Sequence, residues 1–136
     1  MNKVKIPIWI NILQIVILAI LTFQAYSCYF NPQLLYPGIT LDSNSAKMIY
    51  VLAGRNTVMV VISILALVKQ NPRFYSFAFL MHSLRELQDM FIAPLTSGQF
   101  FIFFVFLFVF VIPEILAYIK LNKLANEPEK PALSQA

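Results

Sequence analysis

With 136 residues, 60% hydrophobic and only 12% charged, the chain has room for one domain and too little charge to cover a water-soluble one. Its net charge of +4 comes from basic residues scattered singly, and the lack of a basic run or stripe excludes a nucleic-acid interface. A single cysteine, Cys28, excludes an intramolecular disulfide and a CxxC redox pair, and with them the thiol-disulfide quinone reductases built on small helical bundles.

About 20 mainly apolar residues are needed to cross a bilayer, and four segments qualify. The first span runs over about 6–29, interrupted only by Asn11, Gln14 and Gln24. It is too long for the apolar core of a signal peptide, and Ala25-Tyr26-Ser27 is a poor cleavage context, so processing at Cys28 is not expected. Asn31-Pro32 ends this span, Pro37-Gly38 marks a turn, and Ser43-Asn44-Ser45 supplies helix N-cap candidates. The second span, about 46–68, contains Arg55, with Gly54 beside it as a point where another helix could approach. Asn71-Pro72 makes a tight connection to the third span, about 74–93, which is the least apolar. Pro94 and Ser97-Gly98 lead to the fourth, about 99–119, whose stretch from Phe100 to Ile112 has no polar side chain. Its seven phenylalanines cover every face and suit lipid better than a cofactor.

Short connections force neighbouring helices to run in opposite directions, so residues 1–125 are expected to form one all-α domain, an integral membrane antiparallel four-helix bundle. Residues 126–136 are polar and proline-containing, and read as a disordered cytoplasmic tail. Lys3, Lys5, Lys69, Arg73, Lys120, Lys123 and Lys130 fall on one side and only Lys47 on the other. This bias puts both termini in the cytoplasm; the expected location is the bacterial inner (plasma) membrane.

The informative residues are the ionisable ones inside the spans: Arg55 in the second, His82, Arg85, Glu86 and Asp89 in the third, Glu114 in the fourth. A charge near a helix centre opposes insertion by about 2.5–3.5 kcal/mol, while a large aliphatic residue or Phe favours it by about 0.3–0.6. The third span's eight such apolar residues supply roughly 2.5–5 kcal/mol against roughly 7–10 from its three charges. It does not insert stably alone, so neighbouring helices must meet its charges. His82, Arg85, Glu86 and Asp89 fall at i, i+3, i+4 and i+7, one helix face, with Phe79, Leu80, Leu84, Leu87 and Phe91 opposite. At about 1.5 Å per residue, Arg55, Arg85 and Glu86 lie at one depth. The expected pairs are Arg55 with Glu86 and Arg85 with Asp89. Two arginines against three carboxylates leave one acid over. Glu114, in the most apolar helix, is the candidate for a protonated carboxyl, with Asn11 and Gln14 as its expected neighbours. Pro113 beside it leaves the carbonyl near Val109 without its helical donor.

The cluster has two readings: a salt-bridge network that sets helix register, or a polar pocket or proton path, the default for costly intramembrane ions. His82 and Glu86 share a face at i+4, but no second histidine accompanies them, and no metal or other cofactor is expected. No nucleophile–base pair or glycine-rich phosphate loop is present, which weighs against an enzyme.

Ala53-Gly54-Arg55-Asn56-Thr57, followed by Leu84, Leu87 and Asp89-Met90-Phe91, resembles the DoxX-like group of small four-helix membrane proteins. The stretch from Asn71 to Tyr75, with His82-Ser83-Leu84-Arg85-Glu86-Leu87, is also similar to the ergosterol-biosynthesis scaffold protein of fungi and animals. The likeness covers about residues 45–95. It implies a non-catalytic accessory or ligand-binding role, since some DoxX-like members accompany quinone-linked oxidoreductases and the scaffold protein tethers enzymes.

The leading expectation is a membrane accessory protein that binds an amphipathic small molecule (quinone, sterol-like or other lipid) or a partner subunit. Its site would comprise Arg55, Asn56, His82, Arg85, Glu86 and Asp89. A proton-coupled channel or transporter, expected to be a homo-oligomer, would instead use Glu114 and His82. A lipid-modifying enzyme would use His82 and Glu86 as an acid–base pair.

Overall fold

The computed structural model describes residues 5–97 and 100–126, and among these there is no strand. Four helices account for nearly all of them: α1 (Ile8–Phe30), α2 (Ser43–Lys69), α3 (Pro72–Ser97) and α4 (Phe101–Asn126). The spans expected over 6–29, 46–68, 74–93 and 99–119 match these to within a few residues, except at two ends. Pro94 does not stop α3, which runs on to Ser97, and α4 continues to Asn126. The tail expected to be disordered lies outside the described residues from 127 onward.

α1, α2 and α4 are long and apolar enough to cross a membrane. α3 is as long, at 26 residues, but its charges remove it from that class, as the insertion energies require. The surface has the polarity of a membrane protein. Ile8, Val58, Leu84, Phe91, Phe101 and Phe108 are all more than half exposed, whereas Gln14, His82 and Glu114 are at most 1% exposed. A water-soluble chain of this size does not expose so much contiguous apolar area.

The core draws on every helix: Ile10, Ile17 and Leu21 of α1, Met59 and Ala66 of α2, Tyr75, Ala78 and Phe79 of α3, and Ala117 and Leu121 of α4. Small residues mark the tightest points, with Ala53, Ala66, Ala78 and Ala117 fully buried. Gly54 is not one of them. A Cβ built there would meet nothing within 4 Å, so the close approach expected of it belongs to Ala53.

The helix ends follow local chemistry. α2 is capped by Asp42, whose Oδ1 accepts from Ser45 N–H at 2.7 Å, rather than by the serines and asparagine that follow. All four residues are good caps, and only the first leaves the whole helix intact. The Ser45 amide holds the Asp42 carboxyl below its ordinary range. A lowered acid contributes stability above its unfolded pKa and loses it as pH falls through the folded one. Acidification, or Asp42→Ala, is therefore expected to lower the protection factor of Ser45 N–H against hydrogen exchange, relative to its intrinsic rate at the same pH, while the α2 interior keeps its own.

At the other end of α2, Gln70 takes a left-handed conformation (φ 48°) and Asn71 caps α3, its Oδ1 accepting from Arg73 N–H at 2.9 Å. In the longer connection, Gly38 has φ 81°, which only glycine adopts without strain. Within α4, Phe106–Val111 is wound as a π-helix, and Ile112 N–H donates to Leu107 O, five residues back. Pro113 gives a physical reason: it has no N–H for the carbonyl four residues earlier, and the wider winding offers that carbonyl the next donor along.

Candidate functional site

The polar side chains of α3 turn inward and meet groups from all three other helices. Arg55 of α2 donates to Asp89 through both terminal nitrogens, the closest contact being Nη2 to Oδ2 at 3.2 Å. Arg85 pairs with Glu86, and its Nε lies 3.9 Å from Asp89 Oδ2. Arg85 Nη1 also donates to Asn56 Oδ1 at 3.4 Å, and Asn56 Nδ2 donates to Gln24 Oε1 at 3.4 Å. Asn56 thus ties α3 through α2 to α1.

The pairing differs from the expected one. Arg55 takes Asp89 rather than Glu86, and Arg85 takes Glu86 first and Asp89 second. Glu86 and Asp89 are one turn apart on α3, about 4.5 Å along the axis, and a guanidinium on its flexible stem spans either distance. Burial is graded along the cluster. The Arg85 and Glu86 side chains are each 7% exposed, but those of Arg55 and Asp89 are 32% and 25% exposed.

His82 stands apart from these ions. Its Nε2 lies 3.0 Å from Ser63 Oγ and 3.4 Å from Gln14 Nε2. Ser63 donates to Met59 O at 2.8 Å. His82 and Glu86, the pair proposed for acid–base chemistry, therefore turn to different partners. Farther toward the α3 N-terminus, Tyr75 donates to Asn11 Oδ1, and Gln70 Nε2 donates to the same oxygen at 3.2 Å and to Tyr75 Oη at 3.1 Å. Ser76 donates to Asn122 of α4 at 2.8 Å.

Glu114 is 1% exposed, and neither of its carboxyl oxygens has a hydrogen-bond partner among the described residues. Its expected neighbours Asn11 and Gln14 are engaged elsewhere, with Tyr75 and His82. Instead Glu114 lies on the part of α4 that packs against α3. The single Ser83 proton is committed to Phe79 O at 2.8 Å. An ionised carboxylate without donors costs several kcal/mol in such a place. Glu114 is expected to be neutral near pH 7, giving a protonated-carboxyl infrared band that Glu114→Gln removes. Exchanging one neutral group for another should change stability by less than about 1 kcal/mol.

The described structure thus brings together Arg55, Asn56, Arg85, Glu86 and Asp89, places His82 on a neighbouring polar triad, and sets Glu114 against the same stretch of α3. Sequence reasoning passed over Gln24, Ser63 and Tyr75. Gln24 carried a signal, being one of three asparagine or glutamine residues in a mainly apolar span. Ser63 carried none, because a serine satisfies itself on its own helix. Among the described residues no group of three or more histidine, cysteine or acidic side chains is placed to hold a metal.

No family model, no curated protein and no solved structure matches the chain. The resemblance to the DoxX-like group therefore stands on the quoted residues alone.

Proposed function

We propose that the chain is a small integral membrane protein of the DoxX-like kind, an antiparallel four-helix bundle with α3 as its fourth span and both termini in the cytoplasm, in the bacterial inner membrane. Contacts between ends support the bundle: Asn11 of α1 with Gln70 after α2, Arg55 of α2 with Asp89 of α3, and Ser76 of α3 with Asn122 of α4. The first and third join an early position on one helix to a late position on the next, and the second joins the middle of α2 to the later half of α3. The lysine and arginine distribution supports the orientation.

In this reading the protein is an accessory factor that binds an amphipathic small molecule (quinone, sterol-like or other lipid), or a partner subunit, at the Arg55–Asp89 end of the cluster. The observation that carries it is the half-open Arg55–Asp89 ion pair, whose side chains are 32% and 25% exposed, backed by the sealed Arg85–Glu86 pair. A carbonyl or anionic head group could meet the exposed edge of the Arg55 guanidinium without breaking Arg85–Glu86, while Asp89 keeps the guanidinium fixed. Lipid and quinone extracted from the purified protein test this, with Arg55→Ala as the comparison.

A second reading, a proton-coupled transporter, is favoured by the two orphaned oxygens of Glu114. It predicts proton flux into liposomes that disappears in Glu114→Gln. The binding reading predicts no such flux.

A further inference from the structure

The end of the molecule that carries Asn11, Gln70 and Asn122 differs in charge from the rest. Its described charged side chains are Lys5, Lys69, Arg73, Lys120 and Lys123, and the four described carboxylates, Asp42, Glu86, Asp89 and Glu114, lie elsewhere along the helices. At the α2–α3 turn this charge is concentrated at a cavity of about 370 Å³ lined by Lys69, Asn71, Arg73, Phe74 and Phe77. Neither Lys69 nor Arg73 forms an ion pair among the described residues, and both are exposed. Asn71 spends its side-chain oxygen on the α3 cap, accepting from Arg73 N–H and Phe74 N–H, so only its amide hydrogens remain for a ligand. Three donors and no acceptor side chain therefore border one cavity. Phe74 is half-buried and Phe77 is 49% exposed, which continues the lining as an apolar wall along α3.

We infer that this cavity is a binding site for an anionic phospholipid, the phosphate held by Lys69, Arg73 and Asn71 and an acyl chain lying along Phe74 and Phe77. A guanidinium matches a phosphate in shape as well as charge. Basic pockets at the cytoplasmic ends of membrane helices are favourable seats for such head groups. Free phosphate would use the same donors, but the phenylalanine wall suits a molecule with a hydrocarbon part. The site is some fourteen residues along α2 from Arg55, about 21 Å, and does not depend on what binds there.

Native mass spectrometry of the full chain, released from nanodiscs of equal phosphatidylglycerol and phosphatidylcholine, tests the assignment. Wild type is expected to retain phosphatidylglycerol preferentially, and Lys69→Gln with Arg73→Gln to lower that preference on the order of tenfold. Lys120→Gln with Lys123→Gln should leave most of it. Should the first double variant lose helicity, the wild-type preference at raised salt replaces it and is expected to fall. Equal retention of both lipids, a preference that survives the Lys69 and Arg73 changes, or its loss to millimolar inorganic phosphate alone would each overturn the site.

Discussion

Arg85→Met is expected to destabilise the protein by about 3–5 kcal/mol, the cost of leaving one member of a buried ion pair behind. Arg85 is the innermost cation: its side chain is 7% exposed, it pairs with Glu86, reaches toward Asp89 and donates to Asn56. Methionine fills much of the same volume but leaves Glu86 with no cation at contact distance, since Arg55 is occupied by Asp89. The loss should therefore come from the stranded carboxylate rather than from a cavity. Adding Glu86→Gln is expected to recover most of the stability, because replacing both partners of a buried pair is often close to neutral. Denaturant unfolding of the four proteins in one detergent reads this directly. A loss below about 1 kcal/mol for Arg85→Met would mean that Glu86 reaches water or is already neutral.

The second large effect is expected at Arg55. If its guanidinium anchors a bound amphipathic molecule, Arg55→Ala removes the charge-assisted hydrogen bond, worth about 1.5–3 kcal/mol, and should lower the amount of co-purifying ligand by roughly tenfold to a hundredfold. Stability should fall much less than in Arg85→Met. The Arg55 side chain is 32% exposed, and with it gone Asp89 has both solvent and Arg85 to turn to. Arg55→Lys is the useful control. It keeps the charge near Asp89 but lacks the planar fork, so it should hold the fold and still lose ligand. Equal ligand content in wild type and both variants would remove Arg55 from the site.

The elements that the sequence made legible are those set by coarse physics. Span lengths follow from the bilayer dimension and unbroken apolar runs, and the helices lie close to the expected positions. The inward face of α3 was legible too, because four polar residues at i, i+3, i+4 and i+7 share one side. His82, Arg85 and Glu86 are buried, while Leu84, Leu87 and Phe91 on the other side are at least 40% exposed; Phe79, expected on that outer side, is instead fully buried, because it stands three residues before His82 and seven before Glu86 on their own face.

What was not legible lies below the resolution of one helical turn or depends on which helices touch. Arg55 chose Asp89 over Glu86 within a single turn, and no residue count separates the two. Glu114 lies against α3 rather than the polar residues of α1, because which helices lie side by side leaves no mark on the sequence of one helix. Asp42 won the α2 cap from three equally suitable neighbours. Pro94 was read as a stop, yet α3 passes through it, as a proline-containing helix can when adjacent groups meet the freed carbonyl.

Whether the ions of α3 are neutralised across helices is settled most directly by exchanging the charges of Arg55 and Asp89. Stability is measured for Arg55→Asp, for Asp89→Arg and for the two together. Each single change places two like charges in contact and is expected to be strongly destabilising. The double exchange restores an ion pair and should recover a coupling of about 1–3 kcal/mol. Losses that simply add, with no recovery in the double variant, would show that α2 and α3 do not meet through these residues and would contradict the site.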